Sequence, residues 1–362
     1  MPEELPKWKQ VVRAVKDQIV SGAWKAGEKL PTYDELEIRF RVSRLTLQQV
    51  MRALKTEGFV LARERQGIFV NPRHPFLCRI GILFPYEEGF CTRFWQGLLD
   101  AARQICCAQG RELAVYWNLS KSSEELSRLI SDIEESRLAG LILPVSPDFG
   151  DLQNILKGHP ELPLVSAGEF FPRLAWECRI VLNNRALVCR ALDFMQKRSC
   201  RKIPVMLNGR DSEIAQTFRE EVRKRGLYSP PAWNFVFRME VAELAEQITA
   251  LLLSLPEKER PDGIFIGDDN LTSHVVRGAV EKGVRLPGEF TIVSHYNWLP
   301  QTVDSLPVCN IGYDIRDIVE RAVRKIDEFR VSGRMEPQIY VSPLFREELA
   351  DSDPQKRERK YA

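Results

Sequence analysis

Apolar residues recur at two different periods along this chain, and the period changes near residue 79. Trp8, Val11, Val12, Val15 and Ile19 fall at the spacing of a helix face that packs on a core, and Ser21–Gly22 breaks the pattern, so a first helix ends near residue 20. Thr32 and Glu35 stand at capping-box spacing, which starts a second short helix near residue 33, with Leu36, Ile38 and Phe40 as its apolar contacts. A tight connection, RFRVS, leads to Ser43 as N-cap of a third helix. In VSRLTLQQVMRAL, residues 42–54, the buried stripe is Leu47, Val50, Met51 and Leu54. EGFVLARERQGIFV then alternates apolar and polar positions about a turn containing Gly67, which predicts a hairpin with strands near 59–63 and 68–70. Helix, helix-turn-helix and hairpin together make a winged helix.

Beyond it the pattern becomes one of short apolar runs separated by amphipathic segments. RIGILF (79–84), LAVYW (113–117), GLILPV (140–145), LPLVSA (162–167), RIVL (179–182), KIPVML (202–207), GIFIG (263–267) and FTIVSH (290–295) read as buried strands. Helical patterns such as FWQGLLDAARQIC and SSEELSRLISDIEES lie between most of them, so the body is α/β with doubly wound parallel sheets. Nearly 270 residues exceed one small sheet, and two lobes are expected. The domain plan is therefore a winged helix over 1–70, a linker over 71–78, a two-lobed body over 79–349 and a charged tail over 350–362, ending DSDPQKRERKYA. NPRHPF, residues 71–76, holds two prolines and is read as a helix-free tether.

The side of the third helix opposite its stripe carries Leu45, Gln48, Gln49 and Arg52, flanked by Arg44 and Lys55. Such a face admits two readings: a surface that only meets water, or one whose amides and guanidinium groups reach adenine and guanine edges in a major groove. Charge distribution favours the second. Residues 1–75 hold 14 Lys and Arg against 9 Asp and Glu, an excess of five, whereas the whole chain carries a formal +2, which leaves the remainder at −3. A basic module on a slightly acidic body is expected when only the module meets phosphate.

W-K-Q-V, I-V-S-G-A-W-K-A-G-E-K-L-P-T, D-E-L, V-S-R-L-T-L, M-R-A-L-K-T-E-G and Q-G-I-F-V, in that order and with those gaps, resemble the winged-helix domain of GntR-type bacterial transcription regulators. The resemblance implies a recognition helix in the major groove, a wing tip near the minor groove, and two copies on a pseudo-palindromic double-stranded operator. It places Ser43, Arg44 and Thr46 at the contact positions that open the recognition helix and Gly67 at the wing. Together with Thr32, Leu45, Gln48, Gln49, Arg52 and Gln66, these are the candidate DNA-binding residues. Three positions depart from the family pattern: Gln48 and Asp34 stand where arginines are common, and Gln66 where a basic or polar wing residue is usual. Arg41 occupies a turn position often filled by glycine, where a left-handed backbone would cost an arginine on the order of 1 kcal/mol.

The body resembles the ligand-binding domain of LacI/GalR-type repressors, which is similar to periplasmic sugar-binding proteins. I-G-I-L-F-P, G-L-I-L-P-V-S, D-D-N-L, L-P-G-E-F-T-I-V-S-H and V-S-P-L-F-R-E-E carry the likeness over residues 79–349. It implies two lobes joined by several crossovers, a small molecule between them, and a homodimer formed through the body. Ligands of open α/β sheets sit beyond the carboxyl ends of strands. The candidates there are Tyr86, Phe90, Arg93, Phe94, Ser146, Asp148, Asn183, Asn184, Arg210, Asp211, Asp268, Asp269, Tyr296, Asn297 and Trp298. Aromatic rings beside amides and carboxylates suit a carbohydrate, although each of these residues could instead cap a helix or line a loop. His295 is open to both roles, ligand contact and packing. Ile214 or Ala215 stands where sugar-binding relatives carry an arginine, and Ser294, His295, Tyr296 and Asn297 replace their glycine-aromatic-Asp-Asp segment, so the sugar contacts differ from the usual set.

These features point to a ligand-responsive transcription regulator, with repression the expected sense. An enzyme on a doubly wound fold is the alternative, but no G-x-G-x-x-G follows a strand, and no phosphate loop, nucleophile elbow or H-E-x-x-H occurs. The eight cysteines form no C-x-x-C pair and no zinc spacing, so neither a cofactor nor a metal is expected. MPEELPKWKQ contains no apolar segment of the signal-peptide kind, and no run approaches the roughly 20 apolar residues of a membrane span, so the expected location is the cytoplasm.

Overall fold

The computed structural model describes residues 6–350 except 86, 88–92, 120, 145–150, 168–173, 209–211, 239–240 and 300–305. Its first helices are α1 (Lys7–Val20), α2 (Tyr33–Phe40) and α3 (Arg44–Thr56), followed by strands β1 (Val60–Arg63) and β2 (Gly67–Val70). The capping box forms as its spacing requires, with the Glu35 carboxylate 2.7 Å from the Thr32 backbone nitrogen and the Thr32 hydroxyl accepting from the Glu35 amide at 3.4 Å. Ser43 caps α3 by accepting from the Thr46 amide. Val11, Val15, Ile19, Leu36, Leu47, Val50, Leu54, Phe59 and Val70 close one core around which the three helices and the hairpin pack. Ile38 is not among them and is 80% exposed, a correction to the expectation from sequence. Two residues along a helix turn the side chain through roughly 200°, so Leu36 and Ile38 cannot share a face.

The segment expected to be a helix-free tether contains a one-turn helix, α4 (Pro75–Cys78). Proline is tolerated at the first helical position, where its missing N–H is not needed. Phe76 and His74 are buried, and Phe76 completes the core of the winged helix.

The body continues with β3 (Arg79–Phe84), α5 (Arg93–Ala108), β4 (Glu112–Trp117), α6 (Ser123–Glu134), β5 (Gly140–Leu143), α7 (Asp151–Lys157), β6 (Leu164–Ser166) and β7 (Glu177–Leu182). Next come α8 (Asn184–Lys197), β8 (Val205–Asn208), α9 (Ser212–Lys224), β9 (Asn234–Phe237), α10 (Leu244–Leu253), β10 (Gly263–Ile266) and α11 (Thr272–Glu281). The chain closes with β11 (Thr291–Trp298), β12 (Cys309–Asp314), α12 (Ile315–Ser332), β13 (Gln338–Val341), β14 (Leu344–Phe345) and α13 (Arg346–Ala350). All eight expected strands form. The apolar pattern does not reveal β9, β12, β13 and β14, which are short or, in CNIGYD, rich in residues that pleated strands usually avoid.

Two six-stranded sheets result, in the orders β4-β3-β5-β6-β7-β13 and β9-β8-β10-β11-β12-β14. Pairing through β7 in the first sheet and through β12 in the second is parallel, and β14 runs antiparallel to β12. Numbering the first five strands of each by their order in the chain gives the same arrangement, 2-1-3-4-5, in both. Each sheet therefore reverses winding direction beside its first strand, which opens a crevice at the carboxyl ends there.

By contact the chain divides into two units, residues 1–91, 102–179 and 321–338, and residues 92–101, 180–320 and 339–362. The winged helix belongs to the first. Leu83, Tyr116, Leu129, Leu141, Leu143 and Leu164 form the sheet core of that unit, and Met206, Phe237, Ile264, Ile266, Val275 and Ile292 that of the other.

Candidate functional site

Two surfaces carry chemistry. On α3, burial of Leu47, Val50, Met51 and Leu54 turns Leu45, Gln48, Gln49 and Arg52 outward, and all four are exposed. Leu45 keeps 78% of its surface open, unusual for a large apolar side chain on a helix that buries its other face. Arg44 lies over the Tyr33 ring, 5.2 Å from its centroid, and its Nη1 donates to Asp34 Oδ1 at 2.6 Å. Ser43 and Thr46 hydroxyls lie 3.0 Å apart at the N-terminus of the helix, where free backbone N–H groups favour an anion. Thr32 caps the preceding helix, α2, in the same way.

In the wing, Arg63 pairs with Gly67 and the Gln66 amide donates to the Arg63 carbonyl, so Gln66 and Gly67 sit exposed at the tip. Gly67 has φ +115°, a backbone state costly for other residues. Arg65, beside them at φ 57°, is an exposed cation that the sequence pattern does not single out. Arg41 ends α2 in the left-handed conformation, φ 52° and ψ 54°, which is the backbone state expected of a turn position suited to glycine.

The second surface is a cavity of about 250 Å³ in the second unit, beyond the carboxyl end of β10. A short turn over Asp269–Leu271 shapes it: Asp268 accepts from the Asn270 amide at 2.9 Å and caps the turn, which leaves Asp269 to face inward. Asp269 Oδ2 accepts from the Asn297 amide at 3.2 Å and from its side-chain nitrogen at 3.1 Å. Burial raises the pKa of the Asp269 carboxyl, while the neighbouring His295 and Arg93 oppose the rise. Arg93, from α5, stacks on the Tyr296 ring with 4.5 Å to its centroid, donates to the Tyr296 hydroxyl, and holds Nε 4.0 Å from Asp269 Oδ2. Asn310, on β12, is buried, and its Oδ1 has no hydrogen-bond partner among the described residues.

Of the sequence-predicted ligand residues, Arg93, Asp269, Tyr296 and Asn297 come together here. Asn183 caps α8 by accepting from the Ala186 amide, Asn184 bonds Glu213 and Tyr313, and the Trp298 indole donates to the Leu344 carbonyl. Phe94 is half-buried on α5 outside the cavity lining. Tyr86, Phe90, Ser146, Asp148, Arg210 and Asp211 lie outside the described residues. Asn270, Thr272, Ser273 and Asn310 line the cavity without being anticipated from sequence. The first three continue directly from the Asp-Asp pair after a strand, a signal the sequence contains, whereas Asn310 sits on a strand that the pattern hides.

Arg93, Asp269, Asn270, Thr272 and Ser273 bring donors and acceptors to the lining of one cavity, suited to a ligand whose groups do both. Among the described residues no helix is long and apolar enough to cross a membrane.

Comparison with known proteins agrees with this division. Residues 7–70 match the family described as bacterial regulatory proteins, gntR family, and residues 192–343 match the periplasmic binding protein-like domain. The arabinose metabolism transcriptional repressor of Geobacillus stearothermophilus is 22% identical over 85% of this chain and 87% of its own. The sucrose operon repressor of Streptococcus mutans serotype c is also 22% identical, over 84% of this chain and 89% of its own. Among solved structures, a LacI-family regulatory protein from Chloroflexus aggregans superposes with a TM-score of 0.61 at 18% identity, covering 75% of this chain and 96% of that one. A LacI-family regulator from Lactobacillus casei with bound sucrose gives 0.56 at 17%, covering 74% and 98%. A DNA-binding transcription regulator with a small-molecule-sensing body is the class these features define. Its head is a gntR-family domain and its body a periplasmic binding protein-like domain.

Proposed function

We propose that the protein is a carbohydrate-responsive repressor that acts in the cytoplasm as a homodimer, binding without turnover. Residues 1–70 read a pseudo-palindromic operator, with Arg44, Leu45, Gln48, Gln49 and Arg52 facing base edges and Thr32, Ser43, Thr46, Gln66 and Gly67 at the backbone and wing. Residues 79–349 hold the effector and the dimer contacts. Arg93, Asp269, Tyr296, Asn297 and Asn310 bind the effector, a sugar or sugar derivative of about monosaccharide size. Effector binding alters operator affinity because the protein's two states hold it with different strength.

The observation that carries this reading is the outward face of α3, where side chains able to read bases oppose a fully buried stripe on the same helix. Support for a carbohydrate comes from the donor and acceptor walls of the cavity and from the arabinose and sucrose repressors, which are similar over most of both chains.

Footprinting on DNA upstream of the chain's own gene, with and without a panel of pentoses, hexoses and disaccharides, tests it. A two-fold protected site is expected, one sugar should shift its protection, and Arg44→Ala should cost roughly 1–3 kcal/mol of specific binding. Asp269→Asn should abolish the sugar response while leaving the footprint in place. Protection indifferent to Arg44→Ala would remove the recognition-helix assignment, and indifference to every sugar would remove the effector class.

A further inference from the structure

Two of the contacts between the winged helix and the rest of its unit are made by cations in low-hydration settings. Lys16, buried on α1, pairs with Glu57 of its own domain and donates to the Glu135 backbone carbonyl at 3.2 Å, with Glu135 Oε2 at 3.7 Å. The other is made by Arg330, near the C-terminus of α12. Its Nε donates to the Ala139 carbonyl at 2.6 Å, its Nη1 to Glu161 O at 2.8 Å and its Nη2 to Leu138 O at 3.0 Å. Its planar face rests on the Phe76 ring, 3.7 Å from the centroid.

Among the described residues no carboxylate lies within 4.0 Å of this guanidinium, and loss of hydration lowers its pKa to about 9, opposed only by the Glu161 carboxylate farther off. A cation held by three carbonyls and a ring gains less than one held by a carboxylate, because neutral acceptors return only part of the lost hydration. What the arrangement does supply is geometry: a rigid fork fixed on three sides leaves one orientation for the ring stacked on it. That ring belongs to the core of the DNA-binding head.

We infer that Arg330 is a positioning residue that seats the DNA-binding head on the body through Phe76, so that the body sets the spacing at which paired heads meet the operator. The inference rests on the reading of the head as a paired operator reader. It also gives the effector a route to DNA that needs no separate hinge: α12 begins at Ile315, directly after the β12 strand that brings Asn310 to the cavity, and ends at the seat. The 71–78 segment then acts as a fixed joint rather than a tether.

The test uses the full-length protein, with operator obtained by selection from random duplex. Half-site separation is varied by inserting or deleting one and two base pairs. Wild type should lose at least tenfold in affinity at the wrong spacings, whereas Arg330→Gln and Phe76→Leu should lose no more than about threefold and bind a single half-site as wild type does. Hydrogen exchange at the Leu77 and Cys78 amides, both bonded to the His74 carbonyl, reads the seat with no DNA present and should accelerate at least tenfold in both variants. A merely structural arginine would lower thermal stability and leave spacing preference intact. Unchanged spacing preference or unchanged exchange in the variants, or a wild type indifferent to spacing, overturns the inference. Failure of the wild type to select any DNA sequence would instead overturn the operator-reading assignment, and the exchange measurement would still judge the seat.

Discussion

Arg44 Nη1 lies 2.6 Å from Asp34 Oδ1, and Glu37 Oε1 stands 3.7 Å away on the same side. One edge of the guanidinium proposed to read a base is therefore occupied, and on that proposal Nε with Nη2 is the edge left for a guanine. Both partners are more than half exposed, so the pair adds little stability. Its weight falls on recognition: a carboxylate at this place repels phosphate on every sequence, but the restraint it puts on Arg44 helps only on the matched one. Asp34→Asn should strengthen binding to scrambled duplex severalfold and matched operator less, narrowing their ratio. Titrations of both duplexes at two salt concentrations measure it, and equal strengthening of the two would sink the idea.

Leu45 is 78% exposed on the same helix. An apolar side chain on a groove-facing surface finds its partner in a thymine methyl. Leu45→Ala should cost about 1 kcal/mol of operator binding, and replacing the contacted thymine by uracil should cost a similar amount. Because both remove one contact, the double change should cost little more than either alone. Fully additive losses would show that the leucine touches something else.

Arg41 holds a left-handed conformation that suits glycine better than any branched or long side chain. Arg41→Gly should stabilise the head by about 0.5–1 kcal/mol in urea unfolding, after the greater freedom of glycine in the unfolded chain is counted. A loss of stability would mean the arginine makes a compensating contact.

His74 is sandwiched between the Phe59 and Phe76 rings, and its Nδ1 has no partner among the described residues. Burial, and then the nearby Arg330 cation, lowers its pKa to about 4 from the ordinary 6.5. Above pH 6.5 neither the folded nor the unfolded histidine is charged and stability is unaffected. As pH falls from about 6.5 to about 4 the unfolded chain takes up a proton that the folded one refuses, so this residue alone removes on the order of 3 kcal/mol. Unfolding followed over pH 7.5–4.5 should show that slope in wild type and its loss in His74→Phe. A slope unchanged by the substitution would place its origin in other groups.

Most of the fold can be read from periodicity because the head and the parallel sheets obey local rules. Thr32 and Glu35 cap a helix because three residues bring their groups together, and no distant contact is needed. Asp269 can be anticipated because strand ends in such sheets face crevices. Asn310 cannot, since a strand spelled CNIGYD announces itself only through the neighbours that bury it. The linker misleads for a related reason: two prolines predict chain stiffness or breakage, but Phe76 is held by a ring-to-guanidinium contact with Arg330, more than 250 positions along the chain. Ile38 errs in the other direction: Leu36 and Phe40, four residues apart, share the inward face of this two-turn helix, and Ile38 between them turns away from it.

The first unit is discontinuous, with its head at the start of the chain and its last segment at 321–338. A ribosome adding about 5–20 residues per second delivers Arg330 some tens of seconds after Phe76 has emerged. During that interval a nascent chain already owns a complete reading head and lacks its anchor. A chain cut short before α12 would leave such a head permanently unmoored and without the complete body to which the dimer contacts are assigned, so premature stop codons late in the gene are expected to yield proteins that engage half-sites singly and ignore metabolic state.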